Sequence, residues 1–384
     1  MLHRRKEILS RCNKCLDSNM IDLKTLTISR AAEMLNTDEI TSVQLTQLVL
    51  DAIKTLNPEI NAFREIFADA LAQAEQADER RKKGERGVLL GIPLAIKDNL
   101  HYAGHSATSG SKILEGYISP YTGTAVQGLL DAGAVIIGAA NMDEFAMGSS
   151  NETCAWGPVK NPIDPTRVPG GSSGGPAAAV AMGSVLGSLG SDTGGSIRQP
   201  AALCGLVGLK PTYGAVSRYG IMAMASSLDQ IGPFAKTVAD AEILYRAIEK
   251  EDPKDSTCVP MDARPYVLPK HTYRIGVPTA FVEMDGLDKD IKLRFDEMLK
   301  KLKEAGHEIV PIEMPTLPLA LAIYYILMPA EVSSNLARFD GVRYGLRAEG
   351  NKLIDTYLQS RGTGFGPEVR KRVLLGTYVL SAGY

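Results

Sequence analysis

The sequence predicts an α/β protein, built as an α/β/α sandwich with a central mixed β-sheet. Two continuous apolar runs, at residues 89–96 (LLGIPLAI) and 134–138 (AVIIG), have the length and composition of strands that are covered on both faces. Helical segments lie between and after these runs. This alternation of strands and helices is typical of a sandwich, because the helices then cover both faces of one sheet.

Five helices are predicted from apolar periodicity and from residues that begin or end a helix. The first begins at a capping box, Thr41-x-x-Gln44, and we expect it to end at Asn57-Pro58. The others cover residues 69–83, 124–132, 237–250 and 288–305. The last lies between two short predicted strands, 274–278 and 307–310. Its apolar positions that we expect to face inward are Ile291, Phe295, Met298, Leu299 and Leu302.

A glycine- and serine-rich stretch at residues 168–210 is the most unusual part of the chain. It holds two clusters, GGSSGG at 170–175 and DTGGS at 192–196, separated by the charge-free segment Ala177–Leu189, which we interpret as a buried helix. Glycines permit positive φ and close backbone approach, and successive N–H groups can surround an anion. Serines in such turns are candidate nucleophiles, although ordinary Gly-Ser surface loops have the same composition.

Composition narrows the class of protein. The 384 residues include 42 Lys and Arg and 44 Asp and Glu, which gives a net charge of −2. This charge argues against a chain that binds nucleic acid by itself. No run of 18 apolar residues occurs, so no transmembrane helix is expected. The cysteines are odd in number and widely scattered, which favours reduced thiols and a cytoplasmic location. They are Cys12, Cys15, Cys154, Cys204 and Cys258.

Both ends of the chain lead to expectations about its organisation. Residues 1–20 are charged and irregular and are predicted to form a loosely ordered extension. Cys12-x-x-Cys15 within them is half of a zinc motif without its second pair, so we expect no bound metal. Residues 21–384 are predicted to form a single domain. Because the final residues break off inside an apolar pattern, we expect the C-terminal part of this domain to be missing.

The residues alone limit the candidates for the nucleophile and its base. Gly171-x-Ser173-x-Gly175 formally matches the G-x-S-x-G elbow, but the preceding strand is absent and the later histidines, His271 and His307, are poorly placed. Cys204, in an apolar stretch, is better interpreted as a core residue. A serine without histidine needs another base, and Ser-Lys arrangements are a known solution.

Lys97 is the candidate base, because it follows the apolar strand 89–96. Burial there would lower its pKa far enough for the neutral amine to form. A lone lysine after a strand is otherwise interpreted as a surface residue.

Three separated motifs resemble the amidase signature family: GIPLAIKD at 91–98, GGSSGG at 170–175 and GSDTGGSIRQPA at 190–201. The resemblance runs from about residue 25 to the end and implies the amidase signature fold. It also implies a Ser–cis-Ser–Lys triad, with Ser196 as nucleophile, Ser172 as the bridging serine after a cis peptide bond, and Lys97 as base. The implied oxyanion hole consists of the backbone N–H groups of Thr193, Gly194, Gly195 and Ser196.

Three further stretches resemble one branch of this family, the glutaminase subunits of tRNA-dependent amidotransferases. They are NMDEFAMGSSNE at 141–152, KPTYGAVSRYG at 210–220 and SSNLARFDGVRYG at 333–345. The resemblance implies that this chain, without a cofactor of its own, releases ammonia from glutamine and passes it to a partner. That partner, the B subunit, would use ATP and magnesium to convert Glu-tRNA(Gln) to Gln-tRNA(Gln), and a small C subunit would wrap this chain.

The resemblance also implies a site for the glutamine α-carboxylate, formed by Arg372 with Tyr325 or its neighbour Tyr324. A solvated basic run and core aromatics are the alternative interpretations of these residues. Two other functions stay open: a stand-alone amidase with the same triad, and a catalytically impaired assembly subunit.

Overall fold

The computed structural model describes residues 21–260, 263 and 271–381. The predicted extension 1–20, with Cys12 and Cys15, lies outside the described residues. The α carbons group into two compact units, one formed by the described parts of Met1–Met261 and Met328–Tyr384, the other by those of Asp262–Leu327. The single domain over residues 21–384, and its missing C-terminal part, stay predictions.

A six-stranded mixed sheet organises the first unit, in the order β1-β3-β2-β4-β6-β5. Strand β2 is parallel to both β3 and β4, whereas the β1–β3, β4–β6 and β5–β6 pairs are antiparallel. The predicted mixed sheet is therefore confirmed. Its strands are β1 (Phe63–Ile66), β2 (Pro93–Lys97), β3 (Val135–Ala140), β4 (Gly187–Asp192), β5 (Val207–Gly208) and β6 (Gln230–Ala235).

Seven helices of this unit precede residue 250 in the described chain. They are α1 (Ile28–Asn36), α2 (Ser42–Ile60), α3 (Ala70–Lys82), α4 (Thr124–Asp131), α5 (Gly174–Ala181), α6 (Arg198–Leu203) and α7 (Val238–Ile248). Four of the five predicted helices correspond to α2, α3, α4 and α7. The capping box is present, since Thr41 Oγ1 accepts from the Gln44 N–H and the Gln44 side chain accepts from the Thr41 N–H.

Alternating side chains of the central strands enter two separate apolar clusters. Leu94 and Ile96 of β2, with Ile136 of β3, join a cluster that includes residues of α1, α4 and α7. Ala95 and Val135 join the other cluster, with residues of α2, α3 and α5. Both faces of the sheet are thus covered, which confirms the sandwich and explains why these strands are continuously apolar.

Two predicted helix boundaries are wrong. The charge-free segment 177–189 is not one helix: α5 ends at Ala181, and Gly187–Leu189 already belong to β4. Gly183, at φ 77°, turns the chain between them. Helix α2 continues past Asn57-Pro58, since Pro58 lies in its last turn and the left-handed Asn61, at φ 59°, caps it.

The second unit contains a two-stranded parallel sheet, β7 (Arg274–Pro278) and β8 (Glu308–Ile312), connected through α8 (Thr279–Val282) and α9 (Lys289–Glu304). The bounds of β7 match the prediction. The predicted inward face of α9 is confirmed only in part, because Phe295, Leu299 and Leu302 are half-buried, whereas Ile291 is 59% and Met298 53% exposed. A sheet of two strands, which is what the described part of this unit provides, covers too little surface to bury a helix face.

The remaining helices are α10 (Ala320–Asn335), α11 (Leu353–Gly364) and α12 (Pro367–Ser381). The helical stretch Leu317–Arg338 is long and apolar enough, by length and composition, to cross a membrane. The lack of an uninterrupted apolar run did not exclude a helix of this composition, and the expectation of no transmembrane helix stays a prediction. One helix of this kind is weak evidence for a membrane span, since core helices of soluble proteins meet the same criterion.

Candidate active site

The candidate site lies where β2 and β4 end. These strands are parallel neighbours, so Lys97 at the end of β2 and Ser191-Asp192 at the end of β4 meet at one edge of the sheet. Ser172 and Ser173, immediately before α5, reach the same edge, where Ser172 Oγ accepts from Lys97 Nζ and the Ser173 hydroxyl donates to Ser191 O. The topology therefore brings together a lysine and three serines from distant parts of the sequence.

Lys97 is completely buried, and its Nζ contacts two serines. It donates to Ser172 Oγ at 2.8 Å and to Ser191 Oγ at 2.9 Å, with Ser191 O at 3.5 Å. The surface interpretation of this lysine is wrong. The structure brings it to the serine that the resemblance singles out.

Burial controls the proton affinity of Lys97. It lowers the pKa of the amine from 10.5 to about 7, while the carboxylates of Asp143, Asp192 and Asp229 act in the opposite direction. A lysine whose pKa lies near 7 exchanges between ammonium and neutral amine at neutral pH, and the neutral amine can accept a proton.

The peptide bond between Gly171 and Ser172 is cis, as the resemblance implied. Ser172 O accepts from the Asp143 N–H at 3.1 Å, and the Gly171 N–H donates to Gln199 Oε1 at 2.9 Å. A Cβ on Gly171 would lie 2.1 Å from Asp143 Oδ2, so this approach requires glycine. The loop that contains Asp143 therefore fixes the backbone of the turn that presents Ser172.

The second Gly-Ser turn is organised around the buried carboxylate of Asp192. Its oxygens accept from the Gly195 N–H at 2.8 Å, the Ile197 N–H at 3.1 Å, and Nε and Nη2 of Arg198, both at 3.0 Å. Burial raises the pKa of Asp192, but the Arg198 guanidinium and the backbone donors outweigh it and hold the pKa below 3.8. The turn thus carries a stable anion at its centre.

The predicted oxyanion donors differ in what they contact. The Gly195 N–H is engaged with Asp192, whereas the N–H groups of Thr193, Gly194 and Ser196 have no acceptor among the described residues. The Thr193 hydroxyl donates to Asp229 Oδ1 at 2.6 Å. In this structure, three of the four implied donors are therefore available to a ligand.

Ser196 lies just before α6 and is 8% exposed. Within the part of the chain that the structure describes, its hydroxyl has no hydrogen bond to Ser172 or to Lys97. The Lys97–Ser172 half of the implied relay is formed, whereas its Ser172–Ser196 half is not closed by a hydrogen bond.

Arg372 lies on α12 and is buried, which excludes its interpretation as part of a solvated basic run. Its Nε donates to Glu368 Oε1 at 2.7 Å, one helical turn away. Tyr324 and Tyr325 lie on α10 in the other unit, with ring centroids 5.4 Å apart and edge to face. Their joint role with Arg372 stays a prediction.

Sequence reasoning missed three residues of this site: Ser191, Asn99 and Asp229. Asn99 Nδ2 donates to Ser191 Oγ at 3.1 Å, and Asp229 accepts from Thr193. Asn99 and Ser191 each lie two residues from a predicted site residue, Lys97 and Thr193 respectively. This proximity could have identified them once the ends of the strands were known. The described residues contain no cluster of three or more His, Cys, Asp or Glu side chains that could hold a metal ion.

The Amidase family model matches residues 44–384. The A subunit of glutamyl-tRNA(Gln) amidotransferase from Desulfatibacillum aliphaticivorans is 51% identical over 367 residues, which cover 94% of this chain and 76% of that protein. The protein of the same name from Roseiflexus castenholzii is 51% identical over 95% of this chain and 75% of its own length.

Solved structures of related proteins are also similar to this chain. The A subunit of glutamyl-tRNA(Gln) amidotransferase from Thermotoga maritima is 39% identical with a TM-score of 0.73, over 96% of this chain and 74% of that one. Native peptide amidase from Stenotrophomonas maltophilia is 29% identical with a TM-score of 0.79, over 92% of this chain and 75% of that one. Fold and site define a class of α/β proteins in which a buried lysine meets paired serines at one edge of a mixed sheet. The chain belongs to the Amidase family.

Proposed function

We propose that this chain is the glutaminase subunit of a tRNA-dependent amidotransferase, acting through Ser196, Ser172 and Lys97. The observation that carries the proposal is the contact between the buried Lys97 Nζ and Ser172 Oγ, at 2.8 Å. A buried amine with a pKa of about 7 is a base that works at neutral pH. The likeness to glutamyl-tRNA(Gln) amidotransferase A subunits supports the choice of glutamine as substrate.

In the proposed reaction, Ser196 Oγ forms a bond to the carbonyl carbon of the glutamine side-chain amide. The Ser196 proton moves to Ser172 as the Ser172 proton moves to Lys97, so that the lysine becomes an ammonium. The carbonyl oxygen then carries a negative charge, which the N–H groups of Thr193, Gly194 and Ser196 can stabilise, typically by about 3 kcal/mol per donor. The Gly195 N–H is not among these donors, because it donates to Asp192 Oδ1.

Collapse of the tetrahedral intermediate breaks the C–N bond, and a proton returned from Lys97 through Ser172 accompanies the departing ammonia. Water then attacks the acyl-serine ester and releases glutamate, with Ser196 regaining its proton. The buried site favours these steps because charge interactions are stronger where water is excluded.

Substrate recognition and partners complete the proposal. Arg372, with Tyr325, would bind the α-carboxylate of glutamine. Ammonia would pass to a B subunit that uses ATP and magnesium to amidate Glu-tRNA(Gln), in a cytoplasmic complex with a C subunit. The net charge of −2 suits a chain whose partner holds the tRNA.

A second candidate is a stand-alone amidase, which the likeness to peptide amidase favours. Ammonia release from glutamine, with and without the B and C subunits, separates the two. Partner-stimulated release that is abolished by Ser196→Ala supports the glutaminase. Release from simple amides, with none from glutamine, supports the stand-alone amidase, and partner binding without any release supports an assembly subunit.

The matched control for this assay is Ser184→Ala. Ser184 is as buried as Ser172, and its hydroxyl donates to Ala179 O at 2.8 Å, away from the lysine. Full activity in this variant shows that the loss of one buried serine hydroxyl does not by itself abolish turnover.

A further inference from the structure

Ser191 stands at the end of β4, directly beside Lys97, and has no part in the implied triad. Both of its oxygens face the lysine nitrogen, Oγ at 2.9 Å and the backbone O at 3.5 Å. With Ser172 Oγ at 2.8 Å, three oxygens of the described residues surround Lys97 Nζ. Ser191 supplies two of these three oxygens.

The three oxygens equal in number the three N–H groups of a lysine ammonium. An ammonium has three N–H donors, and one can point to each oxygen. A neutral amine keeps two N–H groups and carries its lone pair in the third direction. Which oxygen faces the lone pair decides whether the amine can accept a proton from Ser172.

We propose that Ser191 is a positioning residue for Lys97: its hydroxyl and carbonyl oxygens take two N–H groups of the amine, so that the lone pair faces Ser172. The inference rests on the proposed function, because it concerns how the base of that reaction is oriented. It predicts that Ser191 acts on the rate of proton removal, through Lys97, without contacting the substrate.

Ser191 is itself held in place from several directions. Asn99 Nδ2 donates to its Oγ at 3.1 Å, and the Ser173 hydroxyl donates to its backbone O at 3.0 Å. The strand pairing of β4 with β6 adds a backbone restraint, with Ser191 opposite Ile231. A fixed pair of acceptors can select one rotation of a primary amine, which a mobile side chain cannot do.

The charged groups around the lysine do not supply this orientation. Asp143, Asp192 and Asp229 are the carboxylates that face it electrostatically. None of them accepts a hydrogen bond from Lys97 among the described residues. They influence how readily the amine is protonated, whereas the serine oxygens decide the direction in which its lone pair points.

The experiment compares the 384-residue chain with its Ser191→Ala, Ser191→Thr and Ser188→Ala variants. Threonine keeps the hydroxyl, and alanine removes it. Ser188 is the matched control, a buried serine on the same strand whose hydroxyl donates to Pro176 O at 2.9 Å and not to Lys97.

The readout is the rate at which a fluorophosphonate labels Ser196, followed by mass spectrometry, with Ser196→Ala as the blank. In that reaction the Ser196 Oγ–P bond forms as the P–F bond breaks, and the serine proton passes to the base. Each variant is measured where its rate no longer rises with pH, which for the parent lysine, with a pKa of about 7, is at about pH 9. A rate lost there reflects orientation and not protonation.

We expect Ser191→Ala to label about 5- to 10-fold more slowly than the parent chain, as for the loss of one hydrogen bond between neutral groups. Ser191→Thr and Ser188→Ala should stay within about threefold of the parent. Equal rates for Ser191→Ala and the parent overturn the inference and leave the proposed function standing. Failure of the parent chain to label at Ser196 overturns both.

Discussion

Lys97 Nζ lies 2.8 Å from Ser172 Oγ, and no part of the lysine side chain is exposed. Because only the neutral amine can accept a proton, we expect amide hydrolysis to rise with pH and to reach half of its maximum near pH 7, where the lysine pKa lies. The pH dependence of kcat/KM measures this directly. A rate that is flat between about pH 6 and pH 9 would contradict lysine as the base.

The same burial makes the folded chain less stable when Lys97 must be charged. The pKa is about 7 in the folded protein and 10.5 in the unfolded chain, so the unfolded chain binds more protons between these values, and stability rises with pH there. Lys97→Met removes this dependence. We expect the variant to be inactive, and its gain in Tm over the parent to be largest below about pH 7 and to shrink towards pH 10.

Thermal unfolding of both proteins across this range provides the measurement. Lys54→Met, at an exposed position of α2, is the control, and its Tm should follow the parent at every pH. Between about pH 7 and pH 10, the free energy of unfolding of the parent should change by a few kcal/mol relative to that of Lys97→Met. A constant Tm difference between Lys97→Met and the parent would show that the lysine titrates alike in the folded and unfolded chains.

The fold class and the catalytic motifs were accessible from the sequence, but the packing around Lys97 was not. A continuous apolar run identifies a strand covered on both faces, and β2 and β3 were predicted on that basis. Small uncharged residues suit a buried helix and a buried strand equally, so the division of residues 177–189 between α5 and β4 could not be derived. Ser191 is 94 residues from Lys97, and only the parallel pairing of β2 with β4 places it there.

The turn before Ser172 tolerates no side chain at Gly171. A Cβ there would lie 2.1 Å from Asp143 Oδ2 and 2.8 Å from the Ser150 amide nitrogen, so we expect Gly171→Ala to abolish activity. The loss in unfolding free energy should exceed the roughly 1–3 kcal/mol of ordinary overpacking, because a carboxylate and a backbone amide must both move. Chemical denaturation and the amidase assay test both effects.

Gly362→Ala is the matched control for that variant. Gly362 lies in α11 with nothing within 4 Å of an added Cβ. Alanine in a helix stabilises by about 0.5–1 kcal/mol relative to glycine, so this variant should be active and at least as stable as the parent. Parent-like stability of Gly171→Ala would show that the loop of Asp143 yields more easily than its contacts indicate.

Glu144 connects the loop that fixes Ser172 to the helix that carries Arg372. Its neighbour Asp143 holds the Ser172 backbone, while its own carboxylate oxygens both accept from the Gly366 N–H at 3.0 Å, immediately before α12 begins. Burial raises the pKa of Glu144, although the Ser111 hydroxyl and the Gly366 amide oppose this effect. The start of α12 therefore depends on the buried carboxylate that directly follows Asp143.

Removal of that carboxylate should weaken glutamine binding more than it slows catalysis. If Arg372 binds the substrate carboxylate equally in the ground and transition states, a displaced α12 raises KM and leaves kcat nearly unchanged. We expect about a tenfold rise in KM for Glu144→Ala, the size of one lost hydrogen bond to a charged group. Glu144→Gln, which keeps one acceptor oxygen, should lie between this variant and the parent.

Steady-state kinetics with glutamine distinguish the outcomes, with Glu152→Ala, an exposed glutamate of the same loop, as the control. A fall in kcat with unchanged KM would mean that Glu144 acts on the Ser172 turn and not through α12. Unchanged kinetics in a folded Glu144→Ala protein would show that the position of α12 does not affect substrate binding. That result would contradict the role assigned to Arg372. A selective rise in KM that Glu144→Gln partly reverses is the result that the hydrogen bonds to Gly366 predict.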